Sequence, residues 1–126
     1  MLGLAFICIG CQTKKMTDIS LEDDSNLHIF DSVMIKETPL PKKIWKIKNI
    51  GEYNLVIDSI KASCECVMME YDLTSYVKRG GYFMIGVSVK PDGITGPFLR
   101  EVEVFGNFMD SPLTLIVEGL YYGNEL

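Results

Sequence analysis

The chain has 126 residues, a length that suits one domain and lets about two-thirds of the unfolded surface be buried. Its apolar fraction of 48% and charged fraction of 23% are those of an ordinary folded globule. A net charge of -5 and a pI near 4.8 give phosphate no attraction, which argues against nucleic acid as a partner and reads as solubility.

The first segment, Met1 to Gly10 (MLGLAFICIG), is apolar throughout and uncharged. It is too short to cross a bilayer as a helix but has the length of a secretory apolar region. It stops at Cys11, followed by Gln12, Thr13, Lys14 and Lys15. An apolar run ending in Ile9-Gly10-Cys11 resembles the lipobox of bacterial lipoproteins, with Cys8 where that group prefers leucine. The resemblance implies a signal peptide over residues 1–10, cleavage before Cys11, and a diacylglycerol on the Cys11 thiol. The protein would then be a lipoprotein of the cell envelope, held to a membrane by that lipid. The plainer alternatives are an ordinary cleaved signal or an apolar tail packed on the domain. Under the lipoprotein reading, the cysteines left to the domain are Cys64 and Cys66, in an exported and oxidising setting.

Thr13 to Asn26 is polar and acidic, with Glu22-Asp23-Asp24 inside it. It reads as a flexible tether, residues 11–26 in all, with an irregular first strand as the alternative. The domain proper is expected over residues 27–126.

Short β-like runs then alternate with turn signals. Leu27 to Phe30 is the first strand, and Pro39 and Pro41 break the chain before the next. Ile44 to Lys48 sets Trp45 and Ile47 on one face, with Ile44, Lys46 and Lys48 on the other. Asn49-Ile50-Gly51-Glu52 is a turn. Leu55 to Ala62 follows, but Leu55 and Ile57 differ in parity from Ile60 and Ala62, so a bulge is expected near Asp58-Ser59. Lys78-Arg79-Gly80-Gly81 turns into Tyr82 to Val89, where Phe83, Ile85, Val87 and Val89 point one way. Lys90-Pro91-Asp92-Gly93 and Thr95-Gly96-Pro97 make a long turn. Arg100 to Phe105 sets Val102 and Val104 inside, and Leu113, Leu115 and Val117 line a last strand ending at Gly119. No stretch has helical periodicity. About seven short strands with Pro/Gly turns predict an all-β, immunoglobulin-like β-sandwich without the Cys…Trp…Cys spacing of antibody domains.

Several motifs recur in order. They are Phe30-Asp31-Ser32-Val33, Trp45-Lys46-Ile47-Lys48-Asn49-Ile50-Gly51, Leu55-Val56-Ile57 and Ser63-Cys64-Glu65-Cys66. Gly80-Gly81, Gly96-Pro97-Phe98 and Leu115-Ile116-Val117-Glu118-Gly119 follow. The set resembles the bacterial domain-of-unknown-function family 1573, over about residues 27 to 122. The resemblance implies an immunoglobulin-like sandwich of the kind common in Bacteroidetes lipoproteins, with no established activity. Glu65 stands where that family has glycine, so the tight geometry that glycine's positive φ allows is not cheaply available.

The chemistry-bearing residues are few. His28 is the single histidine, and it reads as a strand or surface residue because no Ser-His-Asp arrangement can be built around it. Glu101 and Glu103 share one strand face and read as solvated. A structural zinc site wants four N/S ligands, and Cys64 and Cys66 with His28 or Glu65 fall short, although Cys-x-Cys can take copper(I). Cys64 and Cys66 therefore stay open between a disulfide, buried apolar thiols and a redox pair. In an extended strand their Cα atoms would be about 6.6 Å apart, at the edge of disulfide geometry, so a bond needs that limit or a local kink and is expected to be strained. It would close a very short loop and stabilise the fold little. No sequence neighbour favours a thiolate, since Glu65 is acidic and Val67, Met68 and Met69 are apolar. Asp31-Ser32-Val33 and Asp58-Ser59-Ile60 look like the O-glycosylation motif of exported Bacteroidetes proteins, with chance as the alternative. Ile44 and Ile116 sit on otherwise polar faces and hint at a contact surface.

The expectation is a non-catalytic, lipid-anchored binding or structural module with an unidentified protein partner, no cofactor and no metal. The competing reading is a thiol-redox or metal-handling protein using Cys64 and Cys66.

Overall fold

The structure, a computed structural model, describes residues 15–36, 39–73, 76–91 and 95–123. The segment expected to be a signal peptide, with Cys8, the lipidation candidate Cys11, and Asp92-Gly93 of the long turn lie outside the described residues. The strands are β1 (Ile19–Leu21), β2 (Leu27–Met34), β3 (Lys43–Asn49), β4 (Ile57–Ala62), β5 (Val67–Tyr71), β6 (Tyr82–Val89), β7 (Gly96–Gly106) and β8 (Leu113–Tyr122). There are eight rather than about seven, and no helix occurs among the described residues. Two four-stranded sheets, ordered β1-β3-β6-β5 and β2-β8-β7-β4, make the sandwich. β2 runs parallel to β8, and the other pairings are antiparallel.

The alternation read from sequence sets the inner faces. Trp45 and Ile47 from β3, Ile85 and Val87 from β6, Val102 and Val104 from β7, and Leu115 and Val117 from β8 are all buried. Burying such side chains stabilises by about 1.5–3 kcal/mol each, which supplies the drive for the two sheets to close. The expected bulge is present: register shifts between Ile57 and Ser59. It turns Ile60 toward the core that Ile57 already lines. A second shift lies between Ile29 and Ser32, with Asp31 at φ 64°. That left-handed residue changes the parity so that Phe30 and Val33, three apart, both pack on the core.

Gly96 and Pro97, expected in a turn, belong to β7. Proline is tolerated there because, among the described residues, that end of β7 has only β8 beside it, the β4 register ending at Val102. Across from Phe98 stands Gly119. A Cβ on Gly119 would lie 2.6 and 2.8 Å from atoms of the Phe98 ring, which also stacks on Tyr121 at 4.6 Å. The two motifs G-x-F and L-x-I-x-G are therefore one contact: an aromatic ring laid over a missing side chain.

The segment expected to be a tether is, from Lys15 onward, part of the fold. Ile19–Leu21 forms β1 on β3, and Thr17 is buried. Two buried asparagines hold it. Asn107 Nδ2 donates to the carbonyls of Lys15 (2.8 Å) and Asn54 (2.9 Å). Asn49 accepts from Thr17 Oγ1 (2.7 Å) and from Gly51 N–H (3.1 Å), and donates to the carbonyls of Tyr53 (2.8 Å) and Val77 (2.9 Å). A side chain on Gly51 would collide with Thr17 and Asp18. The N-x-G motif thus does more than turn the chain: it receives the N-terminal segment. The polar composition misled because Thr17 is buried and its hydroxyl donates to Asn49 rather than to solvent.

Candidate functional site

The Ser63–Cys66 stretch is where the chain crosses from one sheet to the other. Ser63 still belongs to the β4–β7 ladder: its N–H donates to Glu101 O (2.9 Å) and its Oγ accepts from Glu101 N–H (3.0 Å). Cys66 already belongs to the other sheet, since its carbonyl accepts from Lys90 N–H (2.8 Å). Cys64 and Cys66 are joined in a disulfide across this turn. Their Cα atoms are 5.1 Å apart, inside the ordinary disulfide range, because the residues occupy a turn and not a strand. The extended spacing therefore does not apply here: the chain kinks and brings the two residues closer than a strand would. Glu65, in place of glycine, is absent from the residues with positive φ, so the turn closes without one.

The two sulfurs have different surroundings. Cys64 is half-buried, whereas Cys66 is 3% exposed. Cys66 N–H donates to Cys64 Sγ at 3.1 Å, and Arg100 Nε–H donates to Cys66 Sγ at 3.1 Å. Arg100 is steadied by its Nη1–H donating to Leu99 O (2.8 Å). Among the described residues no ion pair involves Arg100. This residue was missed in the sequence, where only neighbours of the cysteines were weighed. Its signal was there in parity: Arg100 shares the inward side of β7 with Phe98, Val102 and Val104, an unusual place for a charge.

His28 stands half-buried on β2, edge-on to Phe30 at 4.8 Å. Burial holds its pKa below the usual 6.5, helped by Lys43 and opposed by Asp23 and Asp31. It is not brought to the cysteines. Among the described residues no group of three or more His, Cys, Asp or Glu side chains is placed to hold a metal. Ser32 and Ser59 are both exposed, on the two edge strands β2 and β4 of one sheet. Ile44 and Ile116 fall on different sheets, so they do not form one surface.

Around Ile44, however, there is a surface. A groove of about 460 Å³ runs from Ile44, Tyr82, Met84 and Gly86 on the outer face of β3 and β6, past Glu70, to Tyr71, Val77 and Phe83 on the inward side at the end of β5. Ile44 and Met84 are 51% and 52% exposed. Lys42 reaches across to Glu70 and passes over Gly86, where a Cβ would meet its chain at 3.0 Å. Asp72 stands at the rim, and Lys46 and Lys48 flank Tyr82 on the other side. The groove ends on β5, the last strand of its sheet, which among the described residues pairs only with β6.

The family described as "Protein of unknown function (DUF1573)" matches residues 22–121. No curated protein matches the chain. Among solved structures, the chain is similar to a protein of unknown function from Porphyromonas gingivalis W83, at 14% identity and a TM-score of 0.71. That match covers 89% of this chain and 50% of the other, so the chain spans half the length of that protein. It is also similar to WR4, a C. elegans MSP family member, at 11% identity and a TM-score of 0.48, covering 86% of this chain and 100% of that one. The likeness to the Porphyromonas protein shows the fold alone, and the weaker one carries no argument.

Proposed function

The chain belongs to the family described as protein of unknown function (DUF1573), and on that premise we propose a non-catalytic module of the bacterial cell envelope. It is held to a membrane by lipid on Cys11 and binds a partner protein through the groove that runs from the outer face of β3 and β6 to the end of β5. The observation that carries the reading is the apolar groove around Ile44, Tyr82 and Met84, which opens onto the unpaired edge of β5. Exposed apolar side chains scattered singly are ordinary; a set gathered in one groove beside a free strand edge is what an interaction surface requires. The partner supplies an extended segment. Its backbone pairs with β5, its apolar side chains enter the groove, and a basic side chain meets Asp72.

A photo-cross-linker placed at Met84 in cells is expected to capture a defined protein, and Ile44→Asp to abolish the capture. A cross-linker at Leu27, on the other sheet, should not capture it. The captured segment, made as a peptide, should protect the β5 amides of the purified domain from hydrogen exchange. Equal capture from both sheets, or no protection of β5, refutes the docking surface. The anchor is tested separately: the intact mass should exceed that of the polypeptide by a diacylglycerol, and Cys11→Ser should release the protein from membranes. A lipid-free mass refutes the anchor.

A further inference from the structure

From the surroundings of the two sulfurs, we infer that the Cys64–Cys66 disulfide is a thiol–disulfide exchange site, in which Cys64 is the sulfur attacked and Arg100 stabilises the thiolate released on Cys66. The inference is independent of the docking groove, which lies elsewhere on the β3–β6–β5 sheet.

The placement of the bond comes first. A disulfide between residues two apart closes so small a loop that it constrains the unfolded chain little. The crossing between the sheets is already fixed at both ends by the backbone bonds of Ser63 to Glu101 and Lys90 to Cys66. The bond is thus a weak staple on a turn that holds without it. Next comes the difference between the sulfurs. Cys64 is the less buried of the two, whereas Cys66 is enclosed. The enclosed sulfur is the one beside a cation, with Arg100 Nε 3.1 Å from it.

In the oxidised state this guanidinium has a poor partner, since a disulfide sulfur is neutral and a weak acceptor. Among the described residues no carboxylate is paired with it. Reduction would place a full negative charge at Cys66 Sγ, and the same contact would become a charge-assisted hydrogen bond in a sheltered site. Arg100 therefore favours the reduced state over the oxidised one. The Cys66 N–H on Cys64 Sγ, also at 3.1 Å, gives the second sulfur a donor as well.

The reductant is a protein dithiol of the same compartment. One of its thiolates bonds to Cys64 Sγ while the Cys64–Cys66 bond breaks, and the electron pair of that bond leaves on Cys66 Sγ against Arg100. The second thiol of the dithiol, having lost its proton, attacks its own partner sulfur in the mixed disulfide. Cys64 leaves as a thiolate and takes up a proton. Two electrons have passed to the Cys64–Cys66 pair, and the dithiol has become a disulfide. Read from the other side, the oxidised domain is an oxidant for that dithiol.

The test uses the full chain equilibrated in glutathione buffers of graded ratio, quenched with acid, alkylated and weighed. The wild type is expected to exchange while remaining folded, as followed by circular dichroism. Arg100→Gln should move the equilibrium toward the disulfide by about tenfold, or about 30 mV. Arg100→Lys, which keeps the charge, should recover most of that shift. Cys66→Ser should take up glutathione on Cys64 faster than Cys64→Ser takes it up on Cys66. A disulfide that stays intact in the folded protein at every ratio overturns the inference. So does an Arg100→Gln equilibrium equal to the wild type, equal equilibria in Arg100→Gln and Arg100→Lys, or faster uptake on Cys66.

Discussion

Asn49→Ala removes a buried amide that joins three separate stretches of chain. The amide accepts from Thr17 Oγ1 and Gly51 N–H and donates to the carbonyls of Tyr53 and Val77, and Asn49 is 0% exposed. Each of these four bonds contributes about 1 kcal/mol net, so the loss is about 3–4 kcal/mol, and the groups left behind gain no new partner in alanine. That is a large part of the 5–15 kcal/mol typical of a domain. At this chain length about 1 kcal/mol lowers the melting midpoint by about 4 °C, so the expected fall is about 12–16 °C. Urea titration followed by tryptophan fluorescence reads it directly, because Trp45 is the single tryptophan and lies in the core. Thr17→Val should cost about 1 kcal/mol by itself, and the double variant should show coupling of about the same size. A loss under about 1 kcal/mol for Asn49→Ala, or additive effects with Thr17→Val, refutes the reasoning. It would mean that residues 15–21 are a tether after all.

Two further outcomes follow from particular contacts. Gly119→Ala should destabilise by about 2 kcal/mol through overpacking against the Phe98 ring, and Phe98→Leu in the same chain should relieve part of it; a wild-type melting midpoint for Gly119→Ala would refute the contact. For His28, burial and Lys43 hold the folded pKa below the unfolded 6.5. Between those two values the unfolded chain binds more protons, so stability is complete above pH 6.5 and declines as pH falls toward the lowered pKa. His28→Gln should flatten that slope in urea midpoints measured across the window, and an unchanged slope would refute it. Asp23, whose pKa is lowered first by its hydrogen bond to Lys43, acts in a separate window, below its ordinary 3.8.

Much of the sandwich was legible because a strand writes its burial locally. In Tyr82–Val89 the inward residues alternate with the outward ones, and the strand bounds match the structure. The bulge near Asp58-Ser59 was equally readable, as a break in that alternation. β5 is not legible in the sequence, and β1 only as the alternative to a tether. β1 is three residues long in a polar stretch, and β5 shows only Val67 buried, with Met68 and Glu70 facing out. Their membership comes from pairing with β3 and β6, which no local pattern encodes.

The cysteines divide in the same way. That Cys64 and Cys66 lie where the chain leaves a strand was visible in the residues around them, and so was the choice among disulfide, buried thiols and redox pair. That they are bonded depends on a turn that brings their Cα atoms to 5.1 Å. That Cys66 has a cation at its sulfur depends on Arg100, thirty-four positions along the chain. Thr17 and Asn49 are likewise thirty-two positions apart. By itself the sequence determined the class of fold, its turns and most of its inward faces, because alternation and turn chemistry are properties of neighbours along the chain. Only the tertiary structure decided which groups meet across the sheets. The register of distant strands chooses those partners, and it is set by the packing of the whole core.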